Sequence, residues 1–163
     1  QSATLSGAVE IDLTYPGGAC DAESMMVDPA GGAIYIVQKR SDGVSKVLRS
    51  DAPHAAGELV PMVEVATIRF GSGSLPGSTL ATGADISAAG GHVCIRTYSH
   101  AFVWLRPYGR PLEEAFSGAP CPVPIHSEPA GEAIGFSADG LSIFTVSEGG
   151  HPPLYRIDRR AEP

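Results

Sequence analysis

The chain has 163 residues, 43% of them hydrophobic, and a formal charge of −7, which suits one domain with a core of its own and argues against bulk disorder. Its acidic balance, with two Lys beside nine Arg and no basic cluster beyond "RIDRR" at 156–160, argues against a nucleic-acid partner. No apolar run approaches the roughly 18 residues of a membrane-crossing helix, and without Asn there is no N-glycosylation acceptor. The sequence begins at Gln1 with no Met, which fits a processed product, such as one that has lost a signal peptide, or an excised segment. Gly and Pro punctuate the whole length, a pattern of many short strands rather than long helices.

In chain order, residues 5–16, around "GAVEIDLTYP", read as an outer strand with no inner strands before it. Then "SMMV" and "AIYIVQK" flank the turn after Asp28, "SKVLRSD" supplies a third strand, and "PMVEVATIRF" a fourth. The "GSGSLPGS" stretch at 71–78 reads as a flexible loop, because it lacks the spacing and following helix of a phosphate loop. The order then recurs as "ADIS", "HVCIRTY", "AFVWLRP" and "PCPVPI", and again as "AIGF", "SIFTVSE" and "PLYRIDR". Aligned on their turns, Asp28, Ser87 and Ser137 share one column at intervals of 59 and 50 residues. Glycine after each supplies the positive φ that a hairpin needs. Strand units recurring every roughly 40–60 residues predict an all-β β-propeller of about three four-stranded antiparallel blades, at about 20–70, 80–125 and 130–160. A β-sandwich is the alternative; a helical solenoid lacks its 3.6-residue period.

Propellers close at roughly four to eight blades, so three leave apolar blade faces open. The expected partners are a missing propeller half or a second copy of the chain, which would complete a six-bladed ring. Cys94 within "HVCIR" reads as a buried apolar side chain. Cys20 and Cys121 fall in loops and could pair in an oxidising compartment, and no cysteine spacing suggests zinc. Phe102 and Trp104 alternate as packing residues of a strand should.

The stretches "YPGGACDAESMMVDPAGGAIYIVQKR", "TGADISAAGGHVCIRTYSHAFVW" and "GEAIGFSADGLSIFTVSEG" resemble the C-terminal halves of secreted bacterial, especially actinobacterial, six-bladed propeller proteins. The resemblance runs from about Tyr15 to Tyr155 and is distantly phytase-like and lactonase-like. It implies that about half of a full-length relative precedes Gln1, that the protein is exported, and that axial carboxylates hold calcium. Cys20 stands where the resemblance would put a His before "DAE", a departure from the pattern.

The repeat places Glu23, Thr82 and Glu132 in one column entering the inner strands, with Asp21 and Asp85 nearby in sequence. The second strands end in Lys39, in Arg96 with Tyr98, and in Glu148. Carboxylates converging on one mouth suit a hard cation such as calcium, with Asp21, Glu23, Asp85, Glu132 and Glu148 as its candidate ligands. Lys39, Arg96, Tyr98 and His100 are the candidates for holding a small molecule. The same acids could serve as general acid and base, or only as ion-pair partners of Lys39 and Arg96. His126 also falls near the mouth, whereas His54, His92 and His151 read as surface or turn residues. No G-x-S-x-G elbow supports a serine nucleophile.

Three functions therefore stand open: an exported propeller module binding a small ligand, cation or protein at its mouth; a calcium-dependent phosphoesterase or lactonase; or an inert half needing its complement. They differ in what they predict, and an inert half predicts aggregation or a dimer buried along the blade faces. An enzyme requires free carboxylates gathered around a metal, whereas a binding module has a mouth whose acids are already paired with Lys or Arg.

Overall fold

The computed structural model describes residue 4 and residues 6–71 and 75–160. Three residues of the expected 71–78 loop, and Leu5 of the expected 5–16 strand, lie outside it. The fold is all-β, an arc of propeller blades. Blade 1 is the antiparallel sheet of β2 (Ala22–Val27), β3 (Ile34–Gln38), β4 (Val44–Ser50) and β6 (Val63–Arg69). Blade 2 has β7 (Ala81–Ile86), β8 (His92–Thr97), β9 (Ala101–Leu105) and β10 (Cys121–Val123). Blade 3 has β11 (Gly131–Phe136), β12 (Ser142–Ser147) and β13 (Leu154–Asp158). The first strands β2, β7 and β11 lie side by side, so the axis runs along them and the later strands fan outward.

The shared column closes each inner hairpin. Backbone bonds join Asp28 to Ala33, Ser87 to His92 and Ser137 to Ser142. The side chains then hold the loops: Asp28 Oδ1 accepts from Ala30 N, Ser87 Oγ from His92 N, and Ser137 Oγ from Ser142 N. Gly32, Gly90 and Gly140 take φ of 74°, 74° and 70° in these loops, a region that a Cβ disfavours.

Because side chains alternate across a strand, each blade has a front, toward the next blade in the chain, and a back. Met26, Tyr35, Val37 and Val47 on the front of blade 1 pack against Ile86, Val93, Ile95 and Trp104 on the back of blade 2. Cys94, Ala101 and Val103 on the front of blade 2 pack against Ile134, Ile143 and Ile157 of blade 3.

Two elements depart from the sequence reading. The N-terminal strand β1 (Asp12–Thr14) pairs in parallel with an unforeseen short strand, β5 (Leu59–Pro61), while Leu13 and Tyr15 pack over Ile36, Leu48 and Met62 on the back of blade 1. Between β9 and β10, Leu112–Ser117 forms a 3-10 turn whose buried Leu112 and Ala115 join the core between blades 1 and 2. From that turn Glu113 accepts hydrogen bonds from the Tyr35 hydroxyl, at 2.9 Å, and from Arg49, both in blade 1. Burial and then the Glu113 bond hold the Tyr35 phenol above its ordinary range.

Candidate functional site

In all three blades the pairing of the first two strands slips at the same place: between Ala22 and Ser24, between Ala81 and Gly83, and between Gly131 and Ala133. The extra residues are Glu23, Thr82 and Glu132, the column singled out in the sequence. A bulge turns its unpaired side chain away from the regular pleat, here at the mouth where the second strands end. Thr82 is spent locally, its hydroxyl donating to the Gly131 carbonyl of blade 3 at 2.8 Å.

Lys39 follows the end of β3 and donates to both Glu23 oxygens at 2.7 Å and to the Tyr98 hydroxyl at 2.8 Å. Its Nζ also lies 4.7 Å from the centre of the Tyr98 ring. The Tyr98 hydroxyl donates onward to Glu132 Oε1 at 3.1 Å. One chain of polar contacts, Glu23–Lys39–Tyr98–Glu132, thus runs across three blades. Burial by itself would pull the Lys39 ammonium down, but its bonds to Glu23 and Tyr98 outweigh that and hold it above the ordinary lysine range. Lys39 is a fixed cation at neutral pH. Glu148 occupies the position of Lys39 and Tyr98 in blade 3, but it is exposed, and among the described residues its carboxylate bonds to no side chain.

The other candidates lie elsewhere. Asp21 is exposed beside the mouth, its carbonyl accepting from Lys39 N. Asp85 sits three residues beyond Thr82, roughly 10 Å along the strand, and its Oδ2 accepts from Phe136 N at 2.7 Å, stapling blade 2 to blade 3. Arg96 is fully buried between these blades rather than presented at the mouth. It donates to Glu128 Oε2 at 2.7 Å, Ala133 O at 3.1 Å, Thr97 O at 3.2 Å and Tyr98 O at 3.5 Å. The other Glu128 oxygen accepts from Thr145 of blade 3. The place of Arg96 between apolar neighbours in "VCIRT" was the signal that it needed a buried acid, since an unpaired charge there would be costly. Glu128 itself was not foreseen. His100 stays in the turn after β8, its ring stacked on Phe102 and its Nδ1 2.9 Å from Ser99 Oγ.

The five candidate metal ligands are therefore not gathered, and among the described residues no three His, Cys, Asp or Glu side chains are placed to share an ion. All three cysteines are free thiols, so the Cys20–Cys121 pairing is not formed. Two clefts open near the mouth. One of about 360 Å³ lies against Cys20, Asp21, Lys39 and Arg40; the other, about 330 Å³, against Glu128, Glu148, His151 and Tyr155.

No protein-family model and no curated protein matches the sequence. Among solved structures, the chain is similar to the C-terminal WD40 domain of Sif2, with a TM-score of 0.52 and 14% identity over 83% of this chain. It spans about a third of that structure, 34% of its length. At this identity the likeness concerns the fold alone, and it is the fold of a propeller.

Proposed function

We propose that the chain is a propeller module that binds a ligand or protein partner at its axial mouth, in an extracytoplasmic setting, and that it is not a calcium-dependent hydrolase. The observation that carries this reading is the Glu23–Lys39–Tyr98–Glu132 chain. A hard cation takes six to eight oxygens, and the acids that would supply them are bonded to an ammonium, a phenol and a backbone amide, or stand apart. Such a mouth is a rigid polar platform with both signs of charge, suited to recognition. The exported setting rests on the sequence resemblance.

Nuclear magnetic resonance on nitrogen-15-labelled protein tests the reading with two probes. Calcium alone should leave the amide signals of Glu23, Asp85 and Glu132 unmoved, and a small-molecule fragment set should shift signals clustered at Lys39, Tyr98, Glu132 and Glu148. Chelator-sensitive hydrolysis of a phosphate monoester or a lactone, or fragment shifts clustered away from the mouth, would overturn it.

A further inference from the structure

We propose that the cleft at the blade 3 side of the mouth binds a guanidinium group. The proposal names a ligand class for the mouth and so rests on the binding role proposed for it. The cleft, about 330 Å³, has two walls. One is the connection from β10 to β11, through Ser127 and Pro129; the other is the turn from β12 to β13, through Glu148, Pro152 and Pro153. Tyr155 lines it from β13, and by alternation it shares the face that Ile143 and Ile157 turn toward blade 2. The cleft therefore lies on the side of blade 3 that meets blade 2, and its walls are connections whose two ends are both held in strands.

The repeat shows that the fold does not require this cleft. Counted from the turn column, Ser127 and Glu148 hold the positions of Gly77 and Tyr98 in blade 2. There the corner is filled: Tyr98 packs so closely on Gly77 that a Cβ at 77 would fall 2.7 Å from its ring. Blade 2 also turns from β8 to β9 in three residues, 98–100, whereas blade 3 spends six, 148–153, between β12 and β13. The longer turn ends in Pro152 and Pro153, whose rings fix φ and stiffen the outer wall. Blade 3 thus opens a corner that blade 2 closes.

Its chemistry selects a flat cation. Glu128 is spent on Arg96 and Thr145, and the Ser147 hydroxyl on Ala130 N and the Glu148 carbonyl. The Glu148 carboxylate is exposed and, among the described residues, bonds to no side chain. The remaining surface is ring surface. Tyr155 stacks on His126 with centroids 4.1 Å apart and planes 16° from parallel, and three prolines add apolar walls. A guanidinium is planar, weakly hydrated, stacks on aromatic rings and forks onto a carboxylate. An ammonium lacks the plane, and a urea lacks the charge. The volume lies at the small end of the roughly 300–1,000 Å³ of small-molecule sites, which suits a ligand the size of an arginine side chain.

Titration of nitrogen-15-labelled chain with n-butylguanidinium, at constant ionic strength, is the test. Butylurea keeps the plane without the charge, and butylammonium keeps the charge without the plane. Butylguanidinium should shift the Glu148, Gly149, His151 and Tyr155 amides saturably and bind more tightly than either. Glu148→Gln and Tyr155→Leu should each weaken it by about threefold to fivefold, the scale of an exposed ion pair and of an exposed cation–ring contact; Trp104 fluorescence reports that both variants are folded. Blocked Gly-Arg-Gly assigns the source: binding tighter than butylguanidinium marks an arginine of a peptide, weaker binding a free guanidino compound, and either keeps the guanidinium. Butylurea or butylammonium binding as tightly, or affinity unchanged in both variants, would overturn the proposal. If butylguanidinium leaves the cleft unmoved while uncharged or anionic fragments still shift Lys39, Tyr98 and Glu132, the ligand class falls and the binding role of the mouth stands; if no fragment shifts the mouth, both fall.

Discussion

Replacing Glu128 with glutamine strips the countercharge from Arg96 without changing side-chain shape. The two groups are 1% and 0% exposed and meet at 2.7 Å across the boundary of blades 2 and 3. Removing one partner of such a pair costs about 3–5 kcal/mol, because the other charge is left in a poor dielectric. Against a total stability of about 5–15 kcal/mol, that is a large share, equivalent to a fall in melting temperature of roughly 6–20 °C for a chain of this size. The double variant Arg96→Met with Glu128→Leu removes both charges and should lose far less, since a buried pair is often close to neutral against apolar replacements. Gly131 supplies an independent arm. A Cβ there would fall 1.7 Å from Arg96 Nη2 and 2.5 Å from Cζ, so Gly131→Ala should expel the guanidinium, and the same substitution should cost much less in the Arg96→Met, Glu128→Leu background. Urea unfolding followed by the fluorescence of Trp104, 3% exposed, reads all four proteins. If Glu128→Gln costs under about 1 kcal/mol, or the double variant costs as much as the single, the buried pair does not hold the blades in the way described.

Two further outcomes follow from titration and burial. Burial and then the Asp85 charge push the Cys94 thiol well above its ordinary range, while Cys20 is half-buried and Cys121 exposed. Iodoacetamide at mildly alkaline pH should therefore label Cys20 and Cys121 in the folded chain and reach Cys94 only in denaturant; intact mass showing Cys94 labelled at a similar rate would contradict the packing. Burial and then Arg159 hold the His92 imidazole below its ordinary value, so the folded state carries fewer protons there than the unfolded chain. The stability this lends is complete above the unfolded value of about 6.5 and is lost as pH falls through the lower folded value. Melting temperature should fall from neutrality toward about pH 5, and His92→Phe should flatten that slope; an unchanged slope in the variant would refute the assignment.

The propeller was legible because its signals repeat. A column of Asp28, Ser87 and Ser137 turned out to close three equivalent hairpins, and the apolar residues at matching offsets are those that meet between blades. The column of Glu23, Thr82 and Glu132 was found for its polarity, but the structure gives it a backbone cause, a bulge in every blade. What misled was distance along the chain. Asp85 and Arg96 are near the mouth in sequence, yet alternation turns both to the front face of blade 2, where one caps an amide of blade 3 and the other is buried. Parity along a strand decides the side, and three residues decide the depth. The 3-10 turn at Leu112–Ser117 is too short to show a period between its Pro and Gly flanks, and its Glu113 reaches Tyr35 from 78 residues away. No local pattern encodes such a contact.

The columns differ in how much chemistry they tolerate, and that difference separates fold from function. At the turn column each residue must accept a backbone N–H, and Asp28, Ser87 and Ser137 all do so. The bulge and post-strand columns carry no such demand, and they hold Glu with Lys in blade 1, Thr with Tyr in blade 2, and Glu with Glu in blade 3. In blade 1 the pair neutralises itself, and in blade 2 its members reach outward to the neighbouring blades. Blade 3 holds two acids there, of which Tyr98 engages Glu132, while Glu148 is left with an exposed, unshared carboxylate among the described residues. A ligand that brings a cation to this mouth therefore finds the Glu148 carboxylate exposed and unshared. Glu148→Gln should weaken binding of such a ligand, without the loss of stability that Glu128→Gln produces.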